Sequence, residues 1–172
     1  ACKNLKIPVI WHVQDLVTNR YFSLMRYLFN YFSKRIPYHI ICDGEFIKKS
    51  LKKEIQDKST VVLNGIKTET LSRDKEAGIK VRNEFNIPDD AYVIGHLGRI
   101  TPWKGQRSLL MAFIKYSKQN PDAYLLLVGA TLFNNDRYYK YLRNTINKYH
   151  LNNRVIMPGY RNDIKEIYSA MD

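Results

Sequence analysis

Two cations follow closely on a glycine-punctuated strand: Ala91-Tyr-Val-Ile-Gly-His-Leu-Gly-Arg99 continues through Ile-Thr-Pro-Trp-Lys-Gly-Gln106 into an amphipathic helix. Gly95 and Gly98 carry no side chain where a ligand would approach the backbone. The helix expected from about Gly105 offers first-turn N–H groups, and Arg99 and Lys104 add full charge. A phosphate or diphosphate is the ligand such a segment would take. An ordinary strand-to-helix turn with surface cations has the same spacing, so spacing alone leaves both readings open. Lys104-Gly105-Gln106 lacks the Gly-Lys-Ser/Thr order of a Walker loop, and Gly95 and Gly98 give G-x-x-G rather than G-x-G-x-x-G, which disfavours a dinucleotide cofactor.

A second candidate lies near the start of the chain. His12 closes the predicted strand Pro8–Val13, at the carboxyl end where open α/β sheets place their ligands, and Asp15 sits in the loop that follows. A lone histidine is more often structural. His39 and His96 read as strand residues, and no set of His, Cys or carboxylates has metal-ligand spacing, so no metal site is expected.

The elements that must position these residues alternate. After Pro8–Val13, apolar residues recur at helical spacing (Tyr21, Phe22, Leu24, Met25, Leu28, Phe29, Phe32). A strand Tyr38–Cys42, a helix Gly44–Ile55 with Phe46, Ile47 and Leu51 inward, and a strand Val61–Leu63 come next. Residues 67–78 are almost wholly polar and are the expected linker. Beyond it come a short helix at Val81–Phe85, the strand Tyr92–Leu97, a helix over about 105–119 with Leu109, Leu110, Ala112 and Phe113 inward, and the strand Ala123–Val128. A helix Asp136–Tyr149, a strand Val155–Met157 and a helix Asp163–Met171 complete the pattern. Strands alternating with helices imply α/β architecture with parallel sheets.

Lys and Arg outnumber Asp and Glu by 28 to 16, a net charge of +12 concentrated between Arg20 and Lys58. Nucleic acid, anionic lipid or a phosphorylated substrate would each suit that balance, and so would mere compositional bias. Near an anionic bilayer each such cation contributes about 1 kcal/mol. No apolar run reaches the roughly 18 residues of a membrane span. Cys2 and Cys42 suggest neither a disulfide framework nor a zinc site, which favours a reducing, cytoplasmic setting. The absence of an initiator Met, and a last helix still carrying Ile164, Ile167, Tyr168 and Met171 at the final residue, lead us to expect an internal piece of a longer protein.

Several blocks in order carry a family resemblance: Val93-Ile-Gly-His-Leu-Gly-Arg99, Lys104-Gly105-Gln106, Leu109-Leu-Met-Ala112, Leu125-Leu-Leu-Val-Gly129, Val155-Ile-Met-Pro-Gly-Tyr160 and Ile167-Tyr-Ser-Ala170. Together they resemble the donor-domain signature of group 1 glycosyltransferases, the retaining GT-B enzymes of glycosyltransferase family 4. Ile10-Trp-His-Val-Gln-Asp15 resembles the family's acceptor-side histidine strand, and Val62-Leu-Asn-Gly65 the end of its N-terminal domain. The resemblance implies two Rossmann-like domains: residues 1–66 as the end of the acceptor-side one, 67–78 as linker, and 79–172 as the start of the donor-nucleotide one.

It further implies that Arg99 and Lys104 bind the diphosphate of a sugar nucleotide, which is a donor substrate rather than a cofactor. Gly98, Gly129, Gly159 and Tyr160 would lie near the nucleotide, and His12 and Asp15 on the acceptor side. No Asp-x-Asp is present to hold a cation on the diphosphate, and the implied reaction is metal-independent sugar transfer to a glycan, lipid or other cell-envelope acceptor at the cytoplasmic face of the membrane. Lys67, where the family usually has Asp, and Gln14, where relatives are often basic, depart from the pattern. The family's glutamate-containing sugar motif and N-terminal glycine loop would fall outside residues 1–172, so the fragment is not expected to catalyse alone. A GT-B nucleotide-sugar epimerase shares the signature, and a basic polyanion-binding module is the reading from a different class, with nucleic acid ranked low.

Overall fold

The computed structural model describes residues 7–16, 23–131 and 136–172. Cys2, Tyr21 and Phe22 lie outside them, as does the side chain of Met25. The chain divides into two compact units, Ala1–Ile66 and Lys67–Asp172.

The first unit is a parallel sheet in the order β1 (Ile10–Val13), β2 (His39–Cys42), β3 (Ser59–Val61), with Ile10 beside His39 and Ile40 beside Ser59. Ile40 and Cys42 on the central strand are fully buried, packed with Val13, Leu51 and Ile55 and flanked by Trp11, Phe29 and Ile47. Burial raises the Cys42 thiol pKa above its ordinary value, the opposite of what a reactive thiol needs. Strand β1 lies at the edge of this sheet, and its Ile10 and His12 are exposed.

Helix α1 (Ser23–Arg35) joins the first two strands. The single helix expected over Gly44–Ile55 is two: α2 (Glu45–Ser50) and α3 (Lys53–Gln56). Ser50 Oγ donates to the Ile47 carbonyl at 2.7 Å, a side-chain bond that competes with helix continuation, and Leu51 turns extended. That turn sends Leu51 into the core and leaves Phe46, expected inward, on the surface.

The second unit is a parallel sheet in the order β4 (Tyr92–Leu97), β5 (Ala123–Val128), β6 (Val155–Gly159), covered on both faces. The continuous apolar run of β5 is what a doubly covered central strand requires. Leu125 and Leu127 face Leu110, Phe113 and Ile114 of α5 (Gln106–Tyr116) and Leu142 and Ile146 of α6 (Asp136–Lys148). Leu126 and Val128 face Val81 of α4 (Lys75–Glu84) and Ile167 of α7 (Ile164–Ser169). On α5, Leu110 and Phe113 point inward as expected, but Ala112 is exposed, and Gln106 and Ile114 join the buried set.

The edge strand β6 carries Pro158, which has no N–H to donate. The ladder slips there: Leu126 pairs with Ile156 and Val128 with Gly159, leaving an extra residue on β6.

Residues 67–78, expected as a bare linker, fold into the second unit. Thr68–Leu71 form a 3-10 turn, and α4 begins at Lys75, well before the expected Val81. The start signal is Asp74, whose carboxylate accepts from the Ala77 N–H at 3.1 Å while its own N–H donates to Ser169 Oγ at 2.9 Å. The Ala77 bond holds the Asp74 carboxyl below its ordinary range. Gly78 is buried against α7, where a Cβ would collide with the Ser169 carbonyl.

Gly78→Ala is therefore expected to lower stability by about 1–3 kcal/mol through overpacking, outweighing alanine's helix-propensity advantage of about 1 kcal/mol. Urea denaturation of the two proteins measures the difference, and an unchanged or stabilised variant would contradict the α4–α7 contact.

Candidate functional site

The carboxyl ends of β4, β5 and β6 converge on one cleft. Their ladder continues beyond the strands themselves: Gly98 N–H donates to the Val128 carbonyl at 2.9 Å, Ile100 N–H to Ala130 at 3.0 Å and Gly129 N–H to Gly159 at 2.8 Å. Gly129 has φ 142° and passes so close to Gly98 that a Cβ would collide with the Gly98 carbonyl. Only glycine satisfies both conditions. The cleft, of about 410 Å³, has a floor of Gly98 and Gly129, a cationic wall at Arg99, and an apolar wall at Ile164 and Tyr168. Tyr160 stands exposed at its margin.

Of the residues named from sequence, the structure thus brings Gly98, Arg99, Gly129 and Tyr160 to one cavity. Gly159 supports it through its carbonyl. Lys104 does not line the cavity; it ends a 3-10 turn, Pro102–Lys104, and is exposed. Among the described residues neither the Arg99 nor the Lys104 side chain has an ion-pair partner. Arg99 at the glycine floor, with Lys104 exposed further along the same loop, gives an anion-attracting edge.

Two expectations for the loop need revision. Gly95 does not admit a ligand, because Met171 lies across it where a Cβ would be. The first turn of α5 is also partly occupied: the Arg107 N–H donates to the Tyr138 hydroxyl at 3.0 Å.

The loop has polar supports that motif reading did not show. His96 Nε2 lies 3.0 Å from the Lys104 carbonyl, and the fully buried Gln106 donates from Nε2 to the Arg99 carbonyl at 2.7 Å. Arg161, also in the cleft wall, is fully engaged. It donates to Asp163 through Nε at 2.8 Å and Nη2 at 2.6 Å, and to Glu84 through both terminal nitrogens. Those bonds push the guanidinium pKa up and hold the Asp163 carboxyl below its ordinary range. Arg161 thereby ties β6 and α7 to the end of α4 rather than offering its charge to a ligand.

In the first unit, His12 and Asp15 share a shallow cavity of about 600 Å³ with Trp11, Gln14 and Phe29. His12 Nε2 lies 2.6 Å from Oδ1 of Asp43, and Asn64 Nδ2 donates to the other Asp43 oxygen at 3.3 Å. The His12–Asp43 contact is close without hydrogen-bond alignment. Asp43 was missed from sequence, although a detectable signal exists: it directly follows β2 at the carboxyl end of the sheet, beside the end of β1 that carries His12. His39, by contrast, bonds Thr60 Oγ1 across the strands at 2.8 Å, as a structural histidine. Among the described residues no cluster of His, Cys, Asp and Glu could hold a metal ion, and no helix is long and apolar enough to cross a membrane.

Two Rossmann-like parallel sheets, the second with its glycine-floored cleft at the carboxyl edge, place the chain in the GT-B class of α/β folds. The chain belongs to the family of glycosyl transferases group 1, which it matches over residues 79–172, more than half its length. It is 30% identical, over 62% of its length, to a lipopolysaccharide 1,2-N-acetylglucosaminetransferase of Salmonella typhimurium, and 27% identical, over 81%, to an uncharacterized glycosyltransferase of Methanocaldococcus jannaschii. Among solved structures, Anabaena HepE in complex with UDP and glucose superposes over 99% of this chain with a TM-score of 0.87 at 25% identity. The chain spans 29% and 33% of the two curated relatives and 46% of the HepE chain.

The Arg161 clasp gives a pH expectation. Asp163 titrates below its unfolded value of about 3.9, so its contribution is complete above that pH and is lost as pH falls through the folded value. Asp163→Asn should flatten the dependence of melting temperature on pH below about 4. A slope identical to that of the unsubstituted protein would rule out the clasp as an acid-sensitive contact.

Proposed function

We infer that the chain is part of a retaining, metal-independent glycosyltransferase that moves a sugar from a nucleotide-diphosphate donor to a glycan, lipid or other cell-envelope acceptor. The observation that carries this reading is Arg99 on the wall of the Gly98–Gly129 cleft, with Lys104 further along the same loop and neither side chain in an ion pair among the described residues. Breaking the anomeric C–O bond leaves negative charge on the departing diphosphate. Fixed cations stabilise that charge as it develops, the role a divalent ion plays where an Asp-x-Asp motif holds one.

Gly98 and Gly129 let the phosphates lie against the backbone, and Tyr160 offers a ring to the base. UDP is the nucleotide of choice for a first test, since HepE was solved with it. On the acceptor side His12, flanked by Asp43 and Gln14, positions the reacting sugar or acceptor hydroxyl, with Asp15 in the same cavity. No cofactor takes part. The Salmonella relative's name supports an envelope acceptor. Peripheral attachment to the cytoplasmic face of the membrane is supported by α1, which exposes Leu24, Tyr27 and Tyr31 ahead of Lys34 and Arg35.

Isothermal titration of UDP into the protein tests the clamp. Each charge-assisted contact contributes about 1.5–3 kcal/mol, so Arg99→Ala and Lys104→Ala should each weaken UDP binding by roughly 10-fold or more. Unchanged affinity in both variants would remove the assignment. In the full-length parent, His12→Ala should instead keep UDP affinity within about 2-fold while lowering turnover of the UDP-sugar; a loss of UDP binding equal to that of Arg99→Ala would place His12 on the donor side.

A further inference from the structure

We propose that His96 and Gln106 are positioning residues for the diphosphate clamp, fixing its two cations through their main-chain carbonyls in a crossed brace; the proposal rests on the clamp described above. A residue near the end of the strand before the loop holds the carbonyl of the loop's second cation, and the residue just after the loop holds the carbonyl of the first. His96, on β4, reaches forward to the carbonyl of Lys104, and Gln106, opening α5, reaches back to the carbonyl of Arg99.

The chemistry of each bond is set by its acceptor. A carbonyl oxygen only accepts, so His96 carries its proton on Nε2 and Gln106 presents its NH2 rather than its oxygen. Neither side chain has a freer alternative. Gln106 is completely buried, and the His96 ring lies against the Cα of Gly98, where a Cβ would stand 3.3 Å from Cε1. Gly98 therefore makes room for the brace as well as for a ligand.

Without the brace, Lys104 would hang on a 3-10 turn closed by its own N–H to the Thr101 carbonyl at 3.1 Å, followed by the left-handed Gly105. Such a turn is weak in isolation. Arg99 sits between two residues whose N–H groups are bonded to the β5 edge, but its own carbonyl points to Gln106. Holding both carbonyls before the ligand arrives removes ordering that binding would otherwise have to supply.

UDP and uridine affinities measured side by side test the brace. His96→Phe keeps a ring without the donor, His96→Asn is too short to reach, and His96→Gln restores an N–H at the reach of Nε2; Gln106→Met keeps shape without the amide. One neutral hydrogen bond corresponds to about 3- to 10-fold in affinity. UDP binding should weaken by that factor in His96→Phe, His96→Asn and Gln106→Met, uridine binding should stay unchanged, and His96→Gln should recover UDP binding to within about 2-fold. Unaltered UDP affinity in the three weakened variants, equal losses for UDP and uridine, or a His96→Gln protein no better than His96→Asn would each overturn the brace. Arg99→Ala and Lys104→Ala in the same series keep the two levels apart, because loss of their effect defeats the clamp itself.

Discussion

The passage of Gly129 against the Gly98 carbonyl sets the geometry on which the cleft depends. With no side chain on either residue, the ends of β4 and β5 close to backbone contact, and their ladder runs on to Ile100 and Ala130. The floor of the cleft is consequently main chain, and any charge presented to a ligand has to come from the loop that leaves it. Pro158 contributes to the same closure: by interrupting the ladder one step earlier it shifts β6 so that the Gly159 carbonyl meets the Gly129 N–H. A proline at the sheet edge and two glycines at its end are parts of one arrangement.

Beneath that floor the sheet is held rigid by β5. Leu125, Leu126 and Leu127 are each completely buried, alternately against α5 and α6 on one face and α4 and α7 on the other. Burying an aliphatic side chain of this size contributes about 1.5–3 kcal/mol, so the strand carrying Gly129 is the least able to move. The loop between Gly98 and Gly105, where the two cations stand, is anchored by the buried Ile100 side chain and by polar contacts to the Arg99 and Lys104 carbonyls.

This division explains what could be read in the sequence. The strands Tyr92–Leu97 and Ala123–Val128 coincide with their expected limits because uninterrupted apolar runs between turn residues have few alternatives. The break at Ser50-Leu51, the exposed Phe46 and the early start of α4 at Asp74 were not legible, since each depends on a competing local hydrogen bond or on a partner far along the chain. In the candidate site, Gly98 and Arg99 stood out as a glycine and a cation closing an apolar strand, and Gly129 and Tyr160 only through the family resemblance. Gln106, His96 and Asp43 did not, because a glutamine at a helix start or an aspartate after a strand gains meaning only from the carbonyl or ring it meets. Gly95 shows the reverse error: its missing side chain accommodates Met171, not a ligand.

The charge excess also looks different once partners are assigned. Arg82 is buried, donates to the carbonyls of Asp89, Ala91 and Ala170 and pairs with Asp172. Although burial opposes it, the Asp172 carboxyl is held below its ordinary range by the Val93 N–H, Arg73 and Arg82. Arg154 closes the loop before β5 by donating to Ser117, Asn120 and Pro121, and Arg161 is fully committed to Asp163 and Glu84. In the second unit these arginines act as multi-pronged donors that satisfy carbonyls where helices and strands end. Arg99 and Lys104 differ: their main-chain carbonyls are held by Gln106 and His96, and among the described residues their side chains have no ion-pair partner. A net charge of +12 says little about where an anion will bind; what marks Arg99 is its place on the wall of the glycine-floored cleft, with a side chain that forms no ion pair among the described residues.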